Sequence, residues 1–182
     1  MVFDRRALHL RMSLTKAWIG IGTNMGDRME HLRSAVRSMQ AKNIAVIRTS
    51  SIYETAPVGF SSEDLFLNAV IEVEWAGKPE ELLQLLLAIE TEAGRTRNTT
   101  ERYTSRPLDL DILLFGKEVI NSSELTLPHP RLHERGFVLS PLNELIPSYI
   151  HPASGKTIAD LQLQCIDRNG VFVHDKPLSV NR

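Results

Sequence analysis

Two aspartates, Asp109 and Asp111, lie two positions apart in an otherwise apolar segment over residues 108–115. Successive side chains of a β-strand point to opposite faces, so both carboxylates are predicted on one face, about 7 Å apart along the strand. Magnesium prefers carboxylate and phosphate oxygens, and this separation also suits two metal ions about 4 Å apart. We therefore interpret the pair as metal ligands. The residues that alternate with them, predicted to face the core, are Leu108, Leu110, Ile112 and Leu114.

Four arginines precede the aspartates within twelve positions: Arg95, Arg97, Arg102 and Arg106. The guanidinium group is a fixed fork of donors that matches phosphate oxygens. Arginines and carboxylates gathered in one site would pair with each other unless a metal and a polyphosphate were bound between them. The sequence therefore predicts a site for a metal-bound polyphosphate over residues 95–115. The alternative is a solvated surface strand whose arginines form weak salt bridges.

A second basic cluster lies in the segment LPHPRLHERGF, residues 127–137, and consists of His129, Arg131, His133 and Arg135. The spacing of the two histidines could bind zinc on a helix, but Pro130 interrupts such a helix and no third ligand is evident. Contacts with phosphate, or a purely structural role, fit this cluster better.

An aromatic residue and an amide, Phe66 and Asn68, are predicted on one face of another strand, after a loop that contains Thr55, Pro57 and Val58. An aromatic ring with a nearby amide can hold a flat heterocycle, because the amide reads ring nitrogens and oxygens by hydrogen bonds. The alternative is that Phe66 packs in the core and Asn68 is structural.

The elements that must position these residues follow from hydrophobic periodicity. Strands are predicted over residues 17–22, 44–53, 66–75 and 108–115, and helices over 27–41 and between Pro79 and Gly94. The order strand, helix, strand, strand, helix, strand predicts a ferredoxin-like α+β fold with a mainly antiparallel sheet. Residues 118–120 are predicted to pair back as a hairpin, short helices are predicted over 138–145 and 157–163, and the polar tail from Asp167 is predicted to be loosely held.

Composition excludes several classes of protein. The formal net charge is −1 and the apolar share is 42%, which disfavours a general nucleic-acid or membrane binder. A ferredoxin-like nucleic-acid module would also need a string of exposed aromatics. The single cysteine, Cys165, fits a reducing compartment, and no apolar run is long enough to span a membrane. We expect a cytoplasmic protein.

Two common nucleotide motifs do not fit. Gly20, Gly22 and Gly26 do not form G-x-G-x-x-G, and the chain has no Walker A sequence. We interpret the glycines as allowing a tight turn beside a ligand.

The chain resembles the 6-hydroxymethyl-7,8-dihydropterin pyrophosphokinase family over residues 17–163. The resemblance rests on IGTNMGD, SSIYETAPVG, FLNAV, GRTR, SRPLDLDILLFG and LTLPHPRLHERGFVLSPL, in that order. It implies a three-layer α-β-α fold, and it implies transfer of pyrophosphate from ATP to the hydroxymethyl group of the pterin, which leaves AMP. It also implies two magnesium ions as cofactors. We further expect a monomer that binds neither nucleic acid nor membrane.

The resemblance also assigns roles to residues. Asp109 and Asp111 would hold the metals, and Arg102 would act from a mobile loop. The residues matching ATP contacts are Arg95, Arg97, Arg106, Ile112, His129 and Arg135. The residues near the pterin pocket are Thr55, Pro57, Val58, Phe66, Asn68, Tyr103 and Phe137. The catalytic set is Arg95, Arg102, Arg106, Asp109 and Asp111.

One departure from the family bears on loop closure over the pterin. Many members carry W-G-P-R where this chain has Tyr103, Thr104, Ser105 and Arg106. A non-catalytic paralogue that binds pterin or nucleotide is therefore the alternative, and the intact aspartates argue against it. The predicted organisation is one pyrophosphokinase domain over residues 14–166, an N-terminal extension over 1–13 and a C-terminal tail over 167–182.

Overall fold

A computed structural model describes residues 14–56, 65–94, 107–168 and 170–178. In these ranges, no helix has the length and apolar character needed to cross a membrane. The chain forms one main antiparallel sheet and a separate two-stranded ribbon, β6 (Ile120–Asn121) with β7 (Thr126–Leu127). The strands of the main sheet are β1 (Thr15–Thr23), β2 (Ala45–Thr49), β3 (Tyr53–Thr55), β4 (Phe66–Trp75), β5 (Asp109–Phe115) and β8 (Val171–Val173).

The strand order confirms the predicted fold. The sheet runs β5-β1-β4-β3-β8, and β2 also pairs with β4, beside β3 along the same strand. If β2 and β3 are counted as one interrupted strand, the order across the sheet is fourth, first, third and second strand. This arrangement is the split β-α-β order of a ferredoxin-like α+β fold.

Four α-helices lie where the sequence places them. Asp27 caps α1 through a hydrogen bond from the Glu30 amide (3.0 Å), and Thr157 caps α4 through one from the Asp160 amide (3.1 Å). A proline begins α2, and Gly94 follows its end with a φ of 88°, a conformation that favours glycine. The helices are α1 (Arg28–Ala41), α2 (Pro79–Glu92), α3 (Gly136–Leu145) and α4 (Ile158–Gln164).

The helices cover opposite faces of the sheet and give three layers. Apolar residues of α1 and α2, such as Leu32 and Leu86, form one core with Ile19 and Ile71 of the sheet. The helices α3 and α4 form a second core on the other face, around Trp18. The side chains of each strand alternate between the two cores, as strand geometry requires.

One predicted core residue of β5 lies on the opposite face. Leu110 and Ile112 belong to the core with α1 and α2, as predicted, but Leu114 belongs to the core with α3 and α4. The reason is a register shift: Ile19 pairs with Ile112 whereas Trp18 pairs with Leu114, so Leu113 is an extra residue. Such a bulge reverses the alternation beyond it. Asp109 and Asp111 precede the shift, so their predicted common face is unaffected.

Three further predictions differ from the structure. The strand over 44–53 is interrupted because the Ser50 hydroxyl, not a backbone carbonyl, accepts the Val70 amide (2.9 Å). The hairpin pairs β6 with β7 and not with β5, since the Ser122 hydroxyl accepts the Leu125 amide and closes a local turn.

The tail is not loosely held at β8, which pairs with β3. Leu178 is buried, and its carbonyl accepts the Thr49 hydroxyl (2.8 Å).

A buried carboxylate in β4 gives a prediction about stability. Glu72 is 1% exposed and contacts Lys16 Nζ at 2.8 Å and Arg48 Nη2 at 2.7 Å. Burial raises its pKa, but the hydrogen bonds and charges of the two cations outweigh burial and hold the pKa below its usual value. The stabilisation is therefore present above the unfolded pKa and is lost as the pH falls through the folded pKa.

We expect Glu72→Gln to lower the free energy of unfolding by about 2 kcal/mol at pH 7. This loss is smaller than for a fully buried ion pair, because Lys16 and Arg48 are both about half exposed and stay hydrated. Urea unfolding at pH 7 and below pH 4 checks this, and the difference from wild type should shrink at the lower pH. Glu124→Gln, at an exposed position, is the control. An equal loss at both pH values would contradict the assignment.

Candidate active site

The register of the sheet places the two aspartates and Asn68 on one face. Gly22 of β1 pairs with Asp109 on one side and with Asn68 on the other. Gly20 of β1 pairs with Asp111 of β5. Directly opposed residues of an antiparallel pair point to the same face. Asp109 and Asn68 are therefore two strands apart, about 9.5 Å between backbones, with a glycine between them.

Neighbouring side chains leave little room for a larger residue at either glycine. A Cβ atom at Gly22 would lie 3.1 Å from Asn68 Oδ1, and one at Gly20 would lie 3.3 Å from Leu113 Cδ2. The prediction that these two glycines form a tight turn is wrong, because both lie inside β1; the turn after β1 contains Gly26, whose φ is 61°. Gly22 thus leaves space between Asp109 and the Asn68 amide, whereas the space above Gly20 is taken by the Leu113 side chain.

The same face carries the core formed with α3 and α4, but the aspartates stay accessible. Trp18 and Val70 are buried under the helices, whereas Asp109 is partly exposed and the Asp111 side chain is 43% exposed. Asp109 and Asp111 thus hold partly hydrated carboxylates on a rigid strand. A magnesium ion that keeps some water and phosphate ligands fits such a donor pair.

His129 lies beside Asp111. Its Nε2 is 3.9 Å from Asp111 Oδ2, and its backbone amide donates to the Leu113 carbonyl (2.9 Å). Burial, followed by the charge of Arg135, lowers the pKa of His129 to about 4, although Asp109 opposes this. The imidazole is therefore neutral at neutral pH. Its Nδ1 accepts the Arg131 amide (3.2 Å), which leaves the proton on Nε2, where it can be donated to an anionic oxygen.

The second histidine of the cluster, His133, is about half exposed and lies beside Glu134. His133 lies near His151, where its charge helps to lower the pKa of that buried imidazole, after burial itself. In the described part of the chain, no three or more His, Cys, Asp or Glu side chains are grouped as a metal would need.

Asn68 has a fixed orientation. Its Nδ2 donates to Thr55 Oγ1 at 2.8 Å, and both residues are 6% exposed. With Nδ2 turned to Thr55, Oδ1 lies over Gly22. Phe66 lies on the same face, opposite Thr55 in the register of β3 and β4. The structure thus brings together Thr55, Phe66 and Asn68, three of the residues predicted around a heterocycle.

Phe137 is in the first turn of α3 and packs, partly buried, against the core around Trp18. The Arg135 guanidinium lies 5.6 Å from the centroid of its ring, within the range of a cation–π contact. The charge of Arg135 also helps to lower the pKa of His129, so Arg135 places a cation near that imidazole.

One predicted contact residue does not bring its side chain to this face. Ile112 is 3% exposed and lies in the core with α1 and α2, because it alternates with Asp111 along β5. A contact with ATP would have to come from its backbone. The other predicted site residues lie outside the described ranges: Pro57, Val58, Arg95, Arg97, Arg102, Tyr103 and Arg106.

The family model of 7,8-dihydro-6-hydroxymethylpterin-pyrophosphokinase (HPPK) matches residues 18–147, more than half of the chain. The chain belongs to the HPPK family. The match contains every described residue of the site, and the resemblance that the sequence motifs indicated is confirmed.

Known HPPK relatives include single and fused proteins. The chain is 48% identical to the pyrophosphokinase of Bacillus subtilis over 130 residues, which are 71% of this chain and 77% of that protein. It is 38% identical to the Haemophilus influenzae enzyme, over 83% of this chain and 93% of that one. It is also 38% identical to the folic acid synthesis protein fol1 of Pneumocystis carinii, but there the chain spans only 20% of the relative.

Solved HPPK structures confirm the fold. The wild-type HPPK-DHPS of Plasmodium falciparum superposes with a TM-score of 0.66 at 16% sequence identity, over 84% of this chain and 44% of that chain. At this identity the likeness concerns the fold alone. It agrees with the ferredoxin-like strand order and the helical layers described above.

Proposed function

We propose that this chain transfers pyrophosphate from ATP to 6-hydroxymethyl-7,8-dihydropterin and releases AMP. The observation that carries the proposal is the common face that Asp109 and Asp111 share with the oriented Asn68 amide, which lies across Gly22 from Asp109. Carboxylates suit a metal-bound polyphosphate, and the amide suits a heterocycle. The HPPK family to which the chain belongs is named for a pyrophosphokinase that acts on a pterin, which supports placing both ligands in one reaction.

In the proposed reaction the hydroxymethyl oxygen of the pterin attacks the β-phosphorus of ATP in line. A new bond forms between that oxygen and phosphorus, the bond from the β-phosphorus to the bridging oxygen of AMP breaks, and the hydroxyl proton is lost to solvent. Asp109 and Asp111 would hold two magnesium ions, which neutralise phosphate charge and make the attacking oxygen more nucleophilic.

The described side chains contribute orientation and charge. His129 presents a neutral Nε2–H beside Asp111 and can donate it to a phosphate oxygen, while Arg135 places a cation nearby. The Asn68 amide and the Phe66 ring would hold the pterin on the side of Gly22 opposite Asp109. Phosphoryl chemistry needs mainly this positioning and neutralisation.

The remaining parts of the proposal rest on the family resemblance. Arg95, Arg97, Arg102 and Arg106 would contact the triphosphate, and Tyr103 would close over the pterin beside Pro57 and Val58. We also propose a monomer, and a cytoplasmic location that agrees with the single buried cysteine, Cys165. The non-catalytic paralogue is not favoured, since the relatives that the chain covers most fully are named as pyrophosphokinases.

The direct test mixes the protein with ATP, magnesium and the dihydropterin and measures AMP and the pterin diphosphate by chromatography. We expect the two products in equal amounts, and no AMP when the pterin is omitted. Formation of ADP, or AMP formation that does not depend on the pterin, would contradict the proposed reaction.

A prediction for the pterin side concerns Phe137. We expect Phe137→Ala to raise the KM for the pterin about tenfold through the loss of aromatic contact, and to raise the KM for ATP less. Steady-state kinetics with each substrate varied in turn measure both constants. Phe172→Ala, at a 69% exposed aromatic residue of β8, is the control. A larger change in the KM for ATP would count against Phe137 as a pterin contact.

A further inference from the structure

Glu90, in the last turn of α2, is a buried carboxylate that the proposed reaction does not use. It is 2% exposed and lies beside the apolar residues Leu86 and Ile89, which pack in the core. Helical spacing from Leu86 would favour an apolar residue here. A buried carboxylate is costly unless hydrogen bonds compensate for the lost water. The groups that hydrogen-bond to Glu90 therefore indicate which part of the fold it stabilises.

The Glu90 carboxylate is hydrogen-bonded to the backbone between the two aspartates. Its Oε1 accepts the Leu110 amide at 2.7 Å. Among the strands that the structure describes, β5 is at one edge of the sheet, with β1 on its other side. The outward amide of an edge strand needs a partner from elsewhere. A carboxylate provides a strong one, because the bond is charge-assisted.

This bond acts on the peptide group that joins Asp109 to Leu110. A peptide group is planar, so holding its nitrogen restricts the rotation of the backbone on both sides. The directions in which the side chains of Asp109 and Asp111 leave the strand depend on that rotation. The hydrogen bond therefore joins α2 to the strand at the point where the two carboxylates must keep a fixed separation.

We infer that Glu90 is a positioning residue: it holds the β5 backbone so that Asp109 and Asp111 are aimed together at a metal-bound triphosphate. This inference rests on the proposed function. It predicts that loss of the Glu90 carboxylate weakens binding of the magnesium-bound nucleotide and leaves binding of the pterin unchanged, since Asn68 lies two strands and Thr55 three strands away from β5.

The test uses Glu90→Gln and Glu90→Met in the full chain, with Glu92→Gln as the matched control. Glu92 is in the same turn of α2 but is 55% exposed and contacts Lys42. Calorimetry measures the affinity for the α,β-methylene analogue of ATP with magnesium, and separately the affinity for the pterin. Hydrogen exchange followed by NMR measures the protection of the Leu110 amide.

For Glu90→Met we expect the affinity for the magnesium-bound analogue to fall about ten- to a hundredfold, as for other groups that orient metal ligands. The Leu110 amide should exchange faster, and the pterin affinity should not change. Glu90→Gln keeps an acceptor oxygen and should show a smaller fall, a partial rescue that a purely structural residue would not give.

Wild-type affinity for the analogue in the folded variants would overturn the inference, as would an equal fall for the analogue and the pterin. If Glu90→Met does not fold, Glu90→Gln decides alone by the same criteria. Failure of the proposed function is a separate result, because it would appear as absent AMP formation in the wild-type protein. The Leu110 exchange would even then report whether Glu90 holds the strand.

Discussion

Asp109→Asn and Asp111→Asn should each lower kcat/KM for pyrophosphoryl transfer about a thousandfold. Asparagine keeps the size of the side chain but removes one of the two negative charges offered to magnesium. Metal contacts stabilise transition-state charge by several kcal/mol, and about 4 kcal/mol corresponds to a factor of a thousand. Steady-state rates of AMP formation over a range of magnesium concentrations measure the loss.

The fold should survive both changes, because both side chains are partly exposed and neither belongs to a core. Circular dichroism and thermal unfolding check this point. Asp175→Asn, at an exposed position after β8, is the matched control and should leave the rate unchanged. Near-normal turnover by either aspartate variant would refute the assignment of metal ligands.

Asn68→Leu should lower kcat/KM for the pterin about a hundredfold. The change removes a donor and an acceptor but nearly keeps the volume, and each lost hydrogen bond to a buried polar group costs about 1–3 kcal/mol. Binding of the magnesium-bound ATP analogue should stay at the wild-type value, because the aspartates lie across β1. Kinetics with the pterin varied, and calorimetry with the analogue, measure the two effects.

Thr55→Val separates the orientation of the amide from its presence. Valine has a similar shape but cannot accept the Asn68 Nδ2–H, so the amide loses its fixed direction and we expect a smaller loss of pterin efficiency, about tenfold. Asn121→Leu, at an exposed position of β6, is the control. Equal loss of pterin and nucleotide binding in Asn68→Leu would indicate damage to the whole site and contradict a specific role.

Local sequence signals determined much of the fold. Period-two alternation in β4 and β5, the capping residue Asp27 and the helix-ending Gly94 act within a few positions of the element that they define. Such signals depend mainly on neighbouring residues, so the helices, the strand order and the common face of Asp109 and Asp111 could be predicted. The bulge at Leu113 could not, because it depends on the pairing with β1.

Contacts between distant parts of the chain decided the rest. The sequence by itself determined the family, the paired aspartates and the amide with its neighbouring aromatic ring. Only the tertiary structure placed Gly22 between Asp109 and Asn68, oriented the Asn68 amide through its hydrogen bond to Thr55, and set the Glu90 carboxylate on the Leu110 amide. Each of these contacts joins residues on different strands or helices, and no local pattern specifies which of them will meet.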